Sequence, residues 1–266
     1  METGKAAPDG PEGLGGSEID ALAVRLAASR PALFLDYDGT LTGMAPRPEL
    51  AVLSDAMRGR VGRVAALCPT AIVTGRDVED VKALVGLPGL IYAGSHGLDI
   101  EAPSGIHRFG DEFRPALERA TAALERALAH IEGALVQPKR YAITVHTRLV
   151  DPSMKPEVAA ITTAVLSGEP TLRGMPGKEM LELRPDLDWN KGTAVLHLID
   201  VEGLGDRHPV YIGDDITDED AFLALKGRGF GIMVGDHGAP TAADARLPDI
   251  ESVGRLLDRI ADHLAR

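Results

Sequence analysis

The sequence predicts an α/β protein: a parallel sheet with helices on both faces, interrupted once by a smaller α+β insertion. Three observations carry this. Short apolar runs alternate with helical stretches from residue 31 to about 100 and again from 190 onward, the rhythm of βαβ units. In between, strands alternate apolar and polar residues with period two, as in a sheet covered on one face only. The 266 residues, 44% hydrophobic and 26% charged, are enough for one large unit or two smaller ones of ordinary globular composition.

Residues 1–17 are rich in Gly, Pro and Glu and carry no apolar segment, so they read as a disordered lead, not a signal peptide or anchor. Ile19, Leu22 and Leu26 recur at helical spacing behind the capping pattern that starts at Ser17, and Pro31 ends that helix. Ala32–Leu35 is the first strand, 54–67 a helix, Thr70–Val73 a strand, 77–85 a helix and Leu90–Ala93 a strand. The texture then changes. Residues 113–131 form an amphipathic helix, Tyr141–Arg148 and Lys178–Arg184 alternate as one-sided strands, and 155–166 is helical between them. From 190 the first rhythm returns, with helices over 191–199, 218–225 and 253–264 and strands over 209–212 and 231–234. The expected organisation is a core of 18–101 with 185–266, interrupted by 102–184.

The formal charge of −12 argues against nucleic acid or an anionic membrane as partner, since both demand clustered Lys and Arg. Cys68 is the sole cysteine, so no internal disulfide forms, which suits a reducing compartment. No apolar run is long enough to span a bilayer. A cytoplasmic monomer acting on a small molecule is the expectation.

Asp36-Tyr37-Asp38-Gly39-Thr40 directly follows the first strand, so two carboxylates emerge at the carboxyl end of a parallel strand, where ligands bind in open α/β sheets. Alone, Asp-Gly after a strand is as often an ordinary turn. Three further features fall where partners are needed: Thr74-Gly75-Arg76 after the second strand, Asn190-Lys191 opening a helix, and Gly213-Asp214-Asp215 through Asp220 after the strand at 209–212. Each has a bland reading as a cap or a turn. Together they suit phosphoryl transfer. Asp36 and Asp214 offer carboxylates, and Asp38 a backbone carbonyl, to a hard cation such as Mg2+. One carboxylate can attack phosphorus while Asp38 protonates the leaving alcohol and later activates water. Thr74, the amides near Gly75, and Lys191 can neutralise the transferring oxygens.

These residues, in this order, resemble the haloacid dehalogenase superfamily of phosphatases, and the resemblance covers nearly everything from Pro31 onward. It implies a Rossmann-like core, Asp36 as nucleophile, Asp38 as acid/base, Thr74, Gly75 and Lys191 on the phosphate, and Mg2+ held around Asp36, Asp38, Asp214 and Asp215, with Asp218 in support. Other stretches resemble the trehalose-6-phosphate phosphatase family: Gly94-Ser95-His96-Gly97, the strand ending His146-Thr147-Arg148, Gly177-Lys178 through Arg184-Pro185, Trp189-Asn190-Lys191-Gly192, and the acidic loop itself. That resemblance implies hydrolysis of trehalose 6-phosphate, the last step of trehalose biosynthesis, with the insertion as a specificity cap. Lys178 and Glu182 then bind sugar hydroxyls, Arg76 and His96 lie near the cleft, and His146 and Arg148 line the pocket or brace the cap sheet. Without it, Lys178, Glu182 and Arg184 read as a solvated strand face with cross-strand ion pairs. The alternatives are a phosphatase of the same superfamily for another sugar phosphate (sucrose or mannosylglycerate phosphate) and a catalytically silent sugar-phosphate sensor.

Overall fold

The computed structural model describes residues 10–45, 48–177 and 179–266. The chain divides into two compact units. The larger runs to His107 and resumes at Trp189; the smaller is Arg108–Asp188.

In the larger unit, α1 (Gly16–Ala28) leads into β1 (Pro31–Leu35), followed by α2 (Asp55–Ala65), β2 (Thr70–Val73), α3 (Val78–Val85) and β3 (Ile91–Gly94). Two further strands, β4 (Asp99–Ala102) and β5 (Gly105–Arg108), extend this sheet. The smaller unit holds α4 (Arg114–Leu128), β6 (Leu135–Pro138), β7 (Ile143–His146), α5 (Lys155–Ser167), β8 (Leu172–Gly177) and β9 (Met180–Pro185). The larger unit resumes with α6 (Lys191–Val201), β10 (His208–Gly213), α7 (Glu219–Ala224), β11 (Phe230–Val234), β12 (Ala245–Leu247) and α8 (Ile250–Leu264).

The large sheet runs β12-β11-β10-β1-β2-β3-β4-β5. From β12 to β3 the pairs are parallel, and β4 joins β3 antiparallel. Every residue of β1, β2 and β3 is buried, as strands covered on both faces must be. One cover is α1, α2, α3 and α8, whose Leu22, Leu26, Val61, Val64, Val81, Leu256 and Ile260 join Leu33, Leu35, Val210 and Ile212 in one core. Tyr211 points to the other face by strand alternation, and there its ring meets Phe222 of α7 edge-on. The register sets Leu35 level with both Ile72 and Ile212. The three loops that begin at Asp36, Thr74 and Asp214 therefore leave the sheet side by side, at the carboxyl ends of neighbouring strands.

The described part of the lead makes backbone contacts. Gly13 bridges Arg246 of β12, the Leu14 N–H donates to the Arg246 carbonyl at 2.8 Å, and the Gly15 N–H is capped by Glu18 at 2.8 Å. Backbone donors finding an open strand edge make up for the missing apolar pattern. Residues 1–9 lie outside the described residues.

In the smaller unit the strands run β6-β7-β9-β8, all antiparallel. Leu117, Leu124, Leu128 and Val158 of the two helices cover one face, against Ile143, Val145 and Leu183. The opposite face was expected to be open and solvated. Instead Thr144 and Glu182, paired across β7 and β9, are buried at 1% and 5% exposure. Glu182 accepts from Lys139 at 2.8 Å and from Thr144 at 3.3 Å, and pairs with Arg184 at 3.2 Å. A carboxylate with two donors and a guanidinium beside it can be buried where a lone one cannot.

Candidate active site

Asp36 sits one residue past β1, where its N–H still donates to the Ile212 carbonyl at 2.9 Å and so continues the ladder to β10. That bond fixes the side chain against the loop after β10. Lys191, the first residue of α6, is held there by Asn190, whose side chain caps the helix by accepting from the Thr193 N–H at 2.9 Å. Lys191 is 3% exposed, and its Nζ donates to Asp36 Oδ1 at 2.8 Å and to Asp218 Oδ1 at 2.7 Å. The second oxygen of Asp218 takes the N–H groups of Asp214 and Asp215 at 3.0 and 2.9 Å. Asp218 thus shapes the acidic loop from within. Gly213 permits this, because a Cβ there would overlap the Asp218 carboxylate.

Asp214 accepts from the Thr40 hydroxyl at 3.1 Å. Between the two loops lies Gly39 with φ +82°, where a Cβ would overlap the Asp214 carboxylate. Only glycine combines that backbone with that approach.

Asp36, Asp214 and Asp218 each bring a carboxylate oxygen within 4.8 Å of the others. Lys191 is bonded to two of them, Asp36 and Asp218, while Asp214 accepts from Thr40. Burial drives the Asp36 carboxyl well above its usual range; Lys191 opposes this, while the charges of Asp218 and Asp214 reinforce it. Asp214 is pushed up to about 6, by burial first and Asp218 second. Burial works against the charge on Lys191, yet the two carboxylates outweigh it and keep the ammonium protonated. A hard divalent cation, which favours carboxylate oxygens, fits this surplus of negative charge. The carboxylate of Asp38 is bonded to Arg76, which does not bear on the backbone carbonyl expected from it, and exposed Asp215 lies outside the cluster that Asp36, Asp214 and Asp218 form.

Asp38 is gripped by Arg76, whose Nε and Nη2 donate to its two oxygens at 2.6 and 2.8 Å. The third nitrogen, Nη1, donates to Asp80 at 2.8 Å, and the guanidinium lies 5.3 Å over the Tyr37 ring. Burial would lower the guanidinium's affinity for its proton; the bonds to Asp38 and Asp80 raise it. Arg76, expected near the cleft, grips the expected acid/base. A bidentate pair fixes the plane as well as the position of a carboxylate. Thr74 is buried and its hydroxyl accepts from the Arg76 N–H at 3.2 Å.

The next turn leans on this loop. Ser95 and His96 both take left-handed φ values, 49° and 57°. Such residues cost on the order of 1 kcal/mol or more each and persist only where neighbours enforce them. Here the Ser95 N–H donates to the Arg76 carbonyl at 2.7 Å, the His96 N–H to the Thr74 carbonyl at 2.9 Å, and the Ser95 hydroxyl to Asp77 at 2.9 Å. The result seats the His96 ring against Gly75, where a Cβ would lie 2.8 Å from its Cε1 and Nε2. The Thr74–Gly75 loop is therefore braced from behind by His96.

Within the smaller unit, His146 Nε2 pairs with Gln137 at 2.8 Å, and burial, then Lys139 and Arg148, lower its proton affinity. Arg148 pairs with Glu179 at 3.3 Å near solvent. Lys178 lies outside the described residues. Four groups that the sequence reading did not single out for the site belong to it: Thr40, Asp80, Ser95 and Tyr211, whose hydroxyl donates to Asp218 Oδ1 at 2.6 Å. Thr40 lies inside the opening motif and was within reach. A tyrosine inside an apolar strand carries no signal beyond packing.

A parallel α/β core that brings a strand-end aspartate, a hydroxyl turn, a buried lysine and an acidic loop to the carboxyl ends of its strands defines a hydrolase core of the haloacid dehalogenase type. The trehalose-phosphatase family model matches residues 34–248. A probable trehalose-phosphate phosphatase D of Arabidopsis thaliana is 41% identical over 246 residues, covering 86% of this chain and 67% of that protein. The trehalose-phosphate phosphatase of Mycobacterium bovis is 39% identical over 267 residues, covering 97% and 66%. The crystal structure of a trehalose-6-phosphate phosphatase related protein superposes with a TM-score of 0.77 at 26% identity, covering 87% of this chain and 97% of that one. The chain belongs to the trehalose-phosphatase family. It spans about two thirds of the length of these curated relatives.

Proposed function

We propose that this chain hydrolyses trehalose 6-phosphate to trehalose and phosphate through a phosphoaspartyl intermediate on Asp36. The observation that carries the chemistry is the line Asp36–Lys191–Asp218, with bonds of 2.8 and 2.7 Å, set in a cluster of three carboxylates. Asp36 attacks phosphorus while Lys191, the Thr74 hydroxyl and the amides about Gly75 take up charge on the transferring oxygens. Asp38, held in plane by Arg76, gives its proton to the departing sugar oxygen and then takes one from the water that attacks the phosphoaspartate, releasing phosphate and regenerating Asp36. Mg2+ would be held by Asp36 and Asp214, with Asp218 behind them, and would neutralise charge on the phosphoryl group.

The smaller unit supplies recognition of the sugar in this reading, through Glu182 and Lys178, with His146 and Arg148 bracing the sheet. Sugar hydroxyls both donate and accept, which suits a carboxylate among cations. No described helix is long and apolar enough to cross a membrane, and the single cysteine, buried, fits a monomer working in the reducing cytoplasm.

Phosphate release from a panel of sugar phosphates, with Mg2+ and with EDTA, tests the reading. Trehalose 6-phosphate is expected to exceed glucose 6-phosphate and sucrose 6-phosphate, and EDTA to abolish the rate. Equal rates across the panel remove the disaccharide assignment, and activity unchanged in EDTA removes the metal.

A further inference from the structure

The geometry points to Tyr211 as a positioning residue that, through Asp218, sets Lys191 on the nucleophile; this rests on the reading of Asp36 and Lys191 given above. Tyr211 is fully buried in β10, with its ring edge-on to Phe222 at 5.8 Å. Its hydroxyl passes beneath the acidic loop and donates to Asp218 Oδ1 at 2.6 Å, the same oxygen that receives Lys191 at 2.7 Å. Oδ2 of Asp218 is taken by the two backbone N–H groups of Asp214 and Asp215. Asp218 therefore accepts four hydrogen bonds, about the capacity of a carboxylate.

The sharing of Oδ1 has a consequence for Lys191. An ammonium between two carboxylates moves toward the one less satisfied by other donors. With the phenol bound, Asp218 is saturated and Lys191 stays within 2.8 Å of Asp36. Without it, Oδ1 faces Lys191 alone, and the ammonium is drawn off Asp36. A phenylalanine would fill the same apolar space, so the packing gives no reason for the hydroxyl, which needs an acceptor once buried. The chain of contacts from Tyr211 through Asp218 and Lys191 to Asp36 gives one.

The test compares Tyr211→Phe, Asp218→Asn, the double variant and Phe222→Leu, each assayed with Mg2+ on trehalose 6-phosphate and on p-nitrophenyl phosphate, with melting curves alongside. Tyr211→Phe is expected to lower kcat about tenfold on both esters with KM little changed, the scale of one charge-assisted hydrogen bond. In the Asp218→Asn background the same change is expected to cost less than twofold, because the path through Asp218 is already broken. Phe222→Leu, which disturbs the ring but not the hydroxyl, is expected to leave kcat within about twofold. A Tyr211→Phe enzyme that melts lower yet turns over normally would make the phenol purely structural and overturn the assignment. So would equal losses in the two backgrounds, a matching loss in Phe222→Leu, or failure of Tyr211→Phe to fold while Phe222→Leu folds. Wild-type turnover of p-nitrophenyl phosphate without turnover of trehalose 6-phosphate would remove the substrate reading and leave the Tyr211 comparison standing on the generic ester.

Discussion

The proposed nucleophile Asp36 sits in a cluster of three carboxylates, of which it and Asp218, both buried, are bonded to Lys191. Asp36→Asn removes both the proposed nucleophile and one of the crowded charges. Turnover should fall by on the order of 10³ or more while the melting temperature holds or rises; substantial residual turnover would exclude Asp36 as nucleophile. Arg76→Ala frees the Asp38 carboxylate from its 2.6 and 2.8 Å bonds, so kcat should fall about 10- to 100-fold on trehalose 6-phosphate and on p-nitrophenyl phosphate alike. A loss confined to the sugar ester would return Arg76 to substrate binding. Asp214 provides a pH signature. Its folded value of about 6 lies above the ordinary 3.8, so the native metal-free protein holds this proton more tightly than the unfolded chain does. Its contribution to stability is full below pH 3.8 and is lost as pH rises through 6. A cation competes for the same carboxylate, so the rise in melting temperature on adding Mg2+ should shrink as pH falls below about 6. A rise of constant size between pH 5 and 8 would contradict the assignment of Asp214 as a ligand.

At the scale of elements, the site depends on where strands stop and where one helix starts. Asn190→Ala deletes the cap of α6 and should cost about 1 kcal/mol of stability, read from denaturant melts, with a fall in kcat because Lys191 is the first helical residue. Unchanged kcat would show that Lys191 is held by its carboxylates alone. The elements that were legible in the sequence share a cause. Buried runs such as Ala32–Leu35 and Thr70–Val73 and amphipathic helices such as α4 and α8 repeat the period of the surface they cover. Those that escaped lie toward sheet edges. β6 ends in Pro138, and β8 contains Gly174, Pro176 and Gly177; both flank the small sheet, the positions where a strand tolerates Pro and Gly. β12 is three residues long and β5 closes the other edge of the large sheet. The site shows the same division. Asp36, Thr74, Lys191 and Asp214 stand at strand ends and a helix start, where turn chemistry marks them. The Arg76 clamp and the His96 brace arise from contacts between segments distant in sequence, and the Tyr211 hydroxyl reaches Asp218 seven residues on, beyond the strand end; no apolar period encodes any of them.

For the molecule as a whole, the proposal assigns the chemistry to the larger unit and the choice of ester to the smaller one. Glu182, pinned by Lys139, Thr144 and Arg184, is the testable centre of that choice. Glu182→Ala should lower kcat/KM for trehalose 6-phosphate about tenfold or more and leave p-nitrophenyl phosphate within about twofold. Equal losses on both would make the cluster structural. The most direct measurement of the central claim is chemical trapping during turnover. The enzyme is mixed with trehalose 6-phosphate and Mg2+, quenched in acid, reduced with borohydride and mapped by peptide mass spectrometry. A phosphoaspartate would be reduced to homoserine at Asp36, in samples holding both substrate and Mg2+ and in no others. Trapping at another carboxylate, or no trapping while phosphate is being released, would contradict it.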